Sequence, residues 1–305
     1  MRKCSSFIVL ILAALLIMKP FPAIAGEGGI RTLRFILVPE RNIFRQEDKY
    51  RKLCDYLCSH LSPVKVLFEV AKSYEEVMSQ MEDGRAQGGV LGSFLAVHGM
   101  EKHGFVPLVR PVWLSGDSYY RSYVFKKTGS GLTRDISTWK GKSIAMANRS
   151  TSAGFFFPMA LVKTGGIDDP EAFFSKLFFT GSHDASIWMV AKGLADLGAA
   201  KNTVFDETMK IKPELSGQVE ILYSGGHFPD DTVTVTREVP PSLQKKIIEA
   251  FLHMDATAEG REVLKRFGAR RFISSPPADY VDVIKTVKAG GFDLSKLKVV
   301  DHTAR

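Results

Sequence analysis

The amino-acid sequence predicts an α/β protein built of two lobes, and three observations lead to that prediction. Apolar, strand-like runs alternate with helical patterns, which is typical of mostly parallel sheets covered by helices. This alternation occurs twice, first in residues 33–112 and again in residues 123–223. A β-branched run at residues 232–236 then leads the chain back. Lobes that the chain crosses twice leave a cleft between them, where small ligands commonly bind.

The first set of elements alternates between the periodicities of strands and helices. In chain order its elements are predicted at residues 33–38 (strand), 45–61 (helix), 64–70 (strand), 74–81 (helix), 88–91 (strand), 94–103 (helix) and 106–112 (strand). The brief strand at 88–91 ends in Gly92, and a glycine there favours a turn into the helix that follows.

The second set repeats the pattern. Its strands are predicted at residues 123–126, 143–146, 177–180, 195–197 and 219–223, and its helices at 155–164 and 184–192. After the return strand the sequence predicts only helices, at 241–253, 257–267 and 277–288, which would pack on an existing lobe. We therefore expect residues 26–122 and 229–305 in one lobe and residues 123–228 in the other.

Residues 1–25 have the pattern of a secretory signal peptide. Two basic residues precede an apolar run at residues 7–18, and Ala23-Ile24-Ala25 supplies a small-x-small cleavage site. The run is shorter than the about 20 residues that span a bilayer. We expect cleavage after Ala25 and a soluble protein in the periplasm, with an uncleaved membrane anchor as the alternative.

Charge and cysteine content narrow the class of partner. The formal net charge of +8 favours an anionic partner, but no block of lysine and arginine has the pattern of a nucleic-acid-binding arm.

Cys54 and Cys58 lie one turn apart on one face of the first predicted helix. Since a disulfide along one helical face is strained, we expect two thiols. No arrangement typical of catalysis or of a metal site occurs, so we expect neither enzymatic activity nor a cofactor.

Three consecutive hydroxyl residues, Ser150, Thr151 and Ser152, stand between the strand predicted at 143–146 and the helix predicted at 155–164. They occupy the N-cap and first turn of that helix. A helix start offers unpaired backbone N–H groups and a partial positive charge, which suit an anion. A plain helix cap without a ligand is the alternative interpretation.

A second strand-to-helix turn places Ser182 or His183 at the start of the helix predicted at 184–192. A histidine at a helix start can donate a ring N–H to an anion while the helix terminus adds its dipole. A surface capping turn is the alternative. Both motifs therefore indicate an anion site at the edge of the second sheet.

Five segments, in this order along the chain, carry a family resemblance. They are Tyr119-Tyr120-Arg121-Ser122, Trp139-Lys140-Gly141-Lys142-Ser143, Thr151-Ser152-Ala153-Gly154 with Pro158, Gly181-Ser182-His183-Asp184-Ala185, and Phe228-Pro229-Asp230-Asp231. They resemble the phosphate-, phosphite- and phosphonate-binding subunits of ABC importers, the PhnD-like group of type II periplasmic binding proteins. The resemblance covers residues 31–290, roughly, and implies that fold.

The resemblance also implies a function. The protein would bind a small phosphorus oxyanion as a monomer and pass it to an ABC permease in the inner membrane. The motifs assign the ligand to six residues: Ser150, Thr151, Ser152, His183, Tyr120 and Asp231. Thr151 and Ser152 with nearby amides, flanked by Ser150, would hold the oxygens of the anion. His183 would add a donor from the facing turn and Tyr120 another from the crossing strand. Asp231 would accept from a protonated oxygen or from an amine on the ligand.

Two alternatives and three departures accompany this prediction. The same fold could serve as a sensor that signals to a membrane receptor or kinase, and an exported enzyme acting on phosphate esters is a further alternative. The family commonly has an aspartate where this chain reads Gln87-Gly88-Gly89, and often a tyrosine where Leu91 stands. Acidic residues expected after the second lobe's Gly-Ala are replaced by Lys201-Asn202. These changes bear on which anion fits.

Overall fold

A computed structural model describes residues 30–299 of the chain. The predicted signal peptide at residues 1–25 lies outside this described part. Within residues 30–299, no helix has both the length and the hydropathy that crossing a membrane requires. The described chain forms two β-sheets with helices packed on them, so the two-lobed α/β architecture expected from the sequence is confirmed.

The first sheet defines the first lobe. Its strands are β1 (Thr32–Leu37), β2 (Lys65–Val70), β3 (Gly88–Leu91), β4 (Val106–Trp113), β10 (Thr232–Val235) and β11 (Ala269–Ser274). They lie in the order β11-β4-β10-β3-β1-β2. Strands β2 and β3 run parallel to β1, whereas β10 is antiparallel to both β3 and β4. The return strand predicted at 232–236 therefore sits in the middle of the first sheet.

Helices pack against this sheet. They are α1 (Ile43–His60), α2 (Tyr74–Glu82), α3 (Ser93–His103), α7 (Pro241–Leu252) and α8 (Ala258–Phe267), whereas α9 (Val281–Ala289) lies between α3 and the second lobe. Helix α1 buries Tyr50, Leu53 and Leu57, whose three- and four-residue spacing places them on one face. Side-chain caps fix the starts of three of them; at α2, for example, the Ser73 hydroxyl accepts from the backbone N–H of Glu76.

The second sheet defines the second lobe. Its strands are β5 (Tyr119–Lys127), β6 (Ser143–Met146), β7 (Lys176–Phe179), β8 (Leu197–Lys201) and β9 (Val219–Pro229), in the order β7-β6-β8-β5-β9. Its helices are α4 (Phe157–Thr164), α5 (His183–Ala191) and α6 (Asn202–Ile211). Strands β7 and β8 run parallel to β6, so their helix-bearing ends lie at one edge of the sheet.

Two neighbouring strands carry the chain between the lobes. Strand β5 enters the second sheet and pairs antiparallel with β9, which leaves it, with Tyr119 opposite Pro229 at the lobe junction. The exact lobe boundaries predicted at residues 122 and 229 remain a prediction. Near the chain end, Phe292 packs its ring 5.3 Å from Phe155 and 5.4 Å from Phe156, so the segment after α9 contacts the second lobe.

Three local predictions were wrong. The strand placed at 195–197 starts at Leu197 and continues to Lys201. This strand consists mostly of small residues, because a side chain on Gly198 would lie 2.5 Å from the Phe125 ring. Helix α6 was not predicted. Strand β11 interrupts the C-terminal region expected to be all helical. Among the strands of residues 30–299 it pairs only with β4, and its exposed arginines hid its periodicity.

The two cysteines outside the predicted signal peptide are free thiols, as expected. Both are partly buried on α1, and each Sγ lies close to the backbone carbonyl of Val66, at 3.3 Å for Cys54 and 3.2 Å for Cys58. Burial raises the pKa of the Cys54 thiol to about 11, so that the thiol form persists at neutral pH.

Candidate functional site

A chain of three buried hydroxyl groups connects the lobes. Ser93 begins α3 in the first lobe, and its Oγ lies 2.6 Å from Tyr120 Oη and 2.8 Å from Ser152 Oγ. Tyr120 stands near the start of crossing strand β5, and Ser152 belongs to the second lobe. We refer to Ser93, Tyr120 and Ser152 as the hydroxyl cluster. All three are almost inaccessible to solvent, so the cluster lies inside the closed cleft.

The hydroxyl-rich loop after β6 leads into one π-helical turn, Ser152–Phe156, ahead of α4. Such turns are rare and frequently occur at functional sites. The Thr151 hydroxyl donates to the carbonyl of Asn148 at 2.7 Å, and the Ser150 N–H donates to Asn148 Oδ1 at 2.8 Å. These bonds hold the loop from within, and they direct the Thr151 hydroxyl hydrogen to the protein.

Gly154 lets this loop approach the neighbouring helix start. A Cβ atom on Gly154 would lie 2.6 Å from Thr151 Oγ1 and 3.3 Å from His183 Cε1. The first of these distances is shorter than real Cβ contacts allow. Because Gly154 has no side chain, Thr151 and His183 can lie close to each other on either side of it.

His183 is the first residue of α5 and is held from both lobes. Its backbone N–H donates to the Glu40 carbonyl in the first lobe at 3.1 Å. Its Nδ1 accepts from the backbone N–H of Lys201 at 3.4 Å, which leaves Nε2 to carry the ring proton. Burial and the nearby Lys201 ammonium lower the pKa of His183 to about 3. The ring is therefore a neutral N–H donor at physiological pH.

Tyr74, the first residue of α2, supplies a further hydroxyl group. The side chain is buried, yet its Oη has no hydrogen-bonding partner within residues 30–299. Burial raises the pKa of Tyr74 well above its ordinary value, and Glu40, Lys201, Asp231 and Tyr120 are the charged or titratable groups that influence it. Because a buried polar group rarely remains without a partner, this hydroxyl is a candidate donor to a ligand.

A buried charge cluster adjoins the hydroxyl cluster. Lys201 Nζ, at the end of β8, lies 3.2 Å from Glu40 Oε1, 2.7 Å from Asp230 Oδ1 and 2.7 Å from Asp231 Oδ1. We call these four residues the lysine cage. The same Nζ stands 4.7 Å from the centre of the Tyr120 ring, so the lysine cage and the hydroxyl cluster share one wall.

Further contacts hold the lobes together around these groups. The Asn42 N–H donates to Asp184 Oδ2 at 3.2 Å, and Asn148 Nδ2 donates to Glu75 Oε1 at 2.9 Å. At the cleft opening, a groove of about 810 Å³ is lined from both lobes, with the exposed side chain of Phe44 on its rim. These two hydrogen bonds and the groove thus lie at the boundary between the lobes.

The structure places most of the predicted site residues close together. Tyr120 and Ser152 are bridged by Ser93, and Thr151 and His183 meet at Gly154. Asp231 points at Lys201, whereas the Ser150 side chain takes no part in the hydroxyl cluster. Ser93, Tyr74 and Glu40 were not predicted from the sequence. Ser93 stands at the same strand-to-helix position as the two motifs that were recognised.

Neutral donors dominate the hydroxyl side of the site. Hydroxyl groups, a neutral histidine N–H and two helix starts can bind an anion without a full opposing charge. Within residues 30–299, no group of three or more histidine, cysteine, aspartate or glutamate side chains is arranged to hold a metal ion. Such an arrangement of donors suits an acceptor-rich anion.

Comparison with known proteins identifies the family. Residues 35–280 match the family described as ABC transporter, phosphonate, periplasmic substrate-binding protein. The chain belongs to this family. The resemblance inferred from the five sequence segments is thereby confirmed, and so is the function of a substrate-binding protein of an ABC transporter.

Individual family members are distant in sequence. The phosphate-import protein PhnD of Mycolicibacterium smegmatis is 25% identical over 235 residues, covering 74% of this chain and 73% of that protein. A probable ABC transporter phosphite-binding protein of Prochlorococcus marinus, PhnD1, is 22% identical over 164 residues, covering 52% of this chain and 54% of that protein.

Solved structures share the fold. A binding protein component of an ABC phosphonate transporter from Pseudomonas aeruginosa matches with a TM-score of 0.78 at 14% identity, over 85% of this chain and 86% of that one. Prochlorococcus marinus PhnD1 in complex with methylphosphonate matches with a TM-score of 0.73 at 17% identity, over 85% of this chain and 98% of that one. The predicted type II periplasmic-binding-protein fold is confirmed.

Proposed function

We propose that the protein binds one tetrahedral phosphorus oxyanion between its lobes and delivers it to an ABC permease in the inner membrane. The observation that carries this proposal is the convergence of buried, neutral donors from both lobes. Tyr74 Oη, with no partner in the described chain, is the donor that most directly calls for a ligand. Two relatives are named for phosphate and phosphite, and one solved structure is a complex with methylphosphonate; all three are tetrahedral phosphorus oxyanions.

In this proposal Tyr74, Ser152 and the Nε2–H of His183 donate to the oxygens of the anion. Tyr120 donates to Ser93 and Ser93 donates to Ser152, which leaves the Ser152 hydrogen for the anion, because each hydroxyl carries one hydrogen. Thr151 shapes the loop and offers lone pairs to a protonated oxygen, since its own hydrogen goes to a carbonyl. Ser150 contributes through the backbone at the start of the loop. Closing the lobes removes water from these donors, which strengthens each bond to the anion.

The absence of formal positive charge on the hydroxyl side matches the needs of a carrier. An anion held by neutral dipoles binds tightly in the closed cleft and is released when the lobes separate. We propose that the protein acts as a monomer in the periplasm after removal of residues 1–25, and that it performs no catalysis. N-terminal sequencing of the exported protein should begin at Gly26; a mature protein that begins at Met1 would contradict the export route.

Calorimetric titration tests the function. Phosphate, phosphite and methylphosphonate are titrated separately into the purified exported protein, with sulfate as a tetrahedral anion that lacks phosphorus. We expect at least one of the three to bind with one-to-one stoichiometry, and to raise the melting temperature as its concentration passes the dissociation constant. If none of the three phosphorus oxyanions binds, the proposed function is wrong.

A further inference from the structure

The lysine cage is built from both lobes and from the strands that join them. Lys201 ends β8 in the second lobe, and Glu40 follows β1 in the first. Asp230 and Asp231 lie in the connection from β9 to β10. All four side chains are buried, with Lys201 only 1% exposed. Such a group of charges, removed from water, requires mutual compensation, and the distances to Nζ supply it.

The ammonium group of Lys201 is paired with three carboxylates. Its Nζ donates to Glu40 and to Asp231, and it forms an ion pair with Asp230 at 2.7 Å. Burial alone would lower the pKa of Lys201, but the surrounding carboxylates outweigh burial and hold the pKa well above its ordinary value. Lys201 therefore stays charged and directs its donors to the carboxylates rather than to the anion.

The carboxylates are occupied as well. Asp230 accepts from the Trp113 indole N–H at 2.6 Å and from the Asp231 backbone N–H at 2.7 Å, in addition to its contact with Lys201. Arg41 Nη2 lies 3.7 Å from Glu40 Oε2 and adds a second positive charge beside the cage. The acidic wall next to the hydroxyl cluster is thus already paired with cations that belong to the chain itself.

We propose that Lys201 takes the place that an ammonium group on a ligand would otherwise occupy, so that the site selects phosphorus oxyanions without an amine. A ligand ammonium directed past Tyr120 would meet Lys201 Nζ, which stands 4.7 Å from the ring centre, instead of a free carboxylate. Asp231 then accepts a hydrogen bond from Lys201 and not from an amine of the ligand. This inference rests on the proposed function, because it concerns the substituent on the same oxyanion.

Two isosteric pairs of ligands test the inference on the wild-type protein. Ethylphosphonate is compared with aminomethylphosphonate, and propylphosphonate with 2-aminoethylphosphonate, because each pair differs only by a terminal methyl or ammonium group. Calorimetry should show at least tenfold weaker binding of the amine in each pair. An amine that binds as tightly as its isostere, or more tightly, would overturn the inference.

Two variants test whether Lys201 causes the weaker binding of the amines. Lys201→Met frees the carboxylates and should shift the affinity ratio toward the amine by at least tenfold in each pair. Lys126→Met is the matched control, because Lys126 is also buried in the second sheet and pairs with Glu220 at 3.1 Å, outside the cage. That control should leave the ratio unchanged. If Lys201→Met does not fold, the double variant Lys201→Met with Asp230→Asn is used in its place, because it leaves one fewer unpaired carboxylate.

The possible outcomes separate the two proposals. If methylphosphonate, phosphite or phosphate binds and the amines bind as well as their isosteres, the specificity inference alone is wrong. If a folded Lys201 variant retains the wild-type ratio, the discrimination has another origin and the role of Lys201 is refuted. If no phosphorus oxyanion binds at all, the proposed function fails and the specificity inference fails with it.

Discussion

Removing the Ser93 hydroxyl should weaken ligand binding without unfolding the protein. The Ser93 Oγ joins Tyr120 Oη to Ser152 Oγ, at 2.6 and 2.8 Å. Ser93→Ala deletes both hydrogen bonds and leaves two hydroxyl groups in the closed cleft one partner short. In an open conformation water would take those places, so the cost falls on closure and therefore on binding.

The magnitude follows from two hydrogen bonds. At about 0.5–1.5 kcal/mol net for each, the loss is about 1–3 kcal/mol. Since 1.4 kcal/mol corresponds to a factor of ten, the dissociation constant should rise about 5- to 150-fold. Calorimetric titration with the tightest binder among phosphate, phosphite and methylphosphonate measures this rise directly.

A matched serine lies wholly within the first lobe. Ser275 is buried, and its Oγ lies 2.9 Å from Tyr280 Oη and 3.4 Å from Thr232 Oγ1. Ser275→Ala should therefore lower the melting temperature while leaving affinity unchanged, the reverse of the pattern expected for Ser93→Ala. Affinity of folded Ser93→Ala within twofold of wild type would show that the hydroxyl cluster does not contribute to closure on the ligand.

Three further substitutions probe other parts of the site. Tyr74→Phe should weaken binding of the same ligand by about 10- to 150-fold, because a lost hydrogen bond to a charged group costs about 1.5–3 kcal/mol. Thermal stability should not fall. Unchanged affinity would show that Tyr74 does not contact the ligand. Gly154→Ala should also reduce affinity at least tenfold, because its Cβ would lie 2.6 Å from Thr151 Oγ1; wild-type affinity would show that the loop tolerates the methyl group. In the folded protein the pKa of His183 is about 3, below its ordinary value of 6.5. Between these two pH values the unfolded state therefore binds more protons than the folded state. The free energy of unfolding should fall as the pH drops below 6.5, by up to about 1.4 kcal/mol per pH unit. Denaturant unfolding from pH 7 to 4 should show a shallower loss for His183→Gln than for wild type, and equal slopes would contradict the buried neutral ring.

The sequence predicted what is encoded locally. The hydroxyl run at Ser150, Thr151 and Ser152 follows a strand and opens a helical segment, so its place could be predicted from neighbouring residues. Which of its hydroxyl groups bond within the loop could not. The place of His183 at the start of α5 could be predicted in the same way. At α5 the cap is local, because the Ser182 hydroxyl accepts from the Ala185 N–H, whereas Thr151 makes no such cap at the turn that it precedes.

Features that depend on distant contacts could not be predicted in this way. Ser93 and Ser152 are 59 positions apart, and Lys201 is 161 positions from Glu40. The substitution at Lys201 was visible in the sequence, but its carboxylate partners become neighbours only when the lobes meet. Strand β11 was missed because pairing with β4 at a sheet edge, rather than its own periodicity, makes it a strand.

A crystal structure of the protein with bound methylphosphonate or phosphite tests the central claim most directly. We predict electron density for the ligand between the lobes, with one oxygen within hydrogen-bonding distance of Tyr74 Oη and another within hydrogen-bonding distance of Ser152 Oγ. Lys201 Nζ should remain in its cage of carboxylates. A ligand bound outside the cleft, or one inside it that leaves Tyr74 Oη and Ser152 Oγ without contact, would contradict the proposed site.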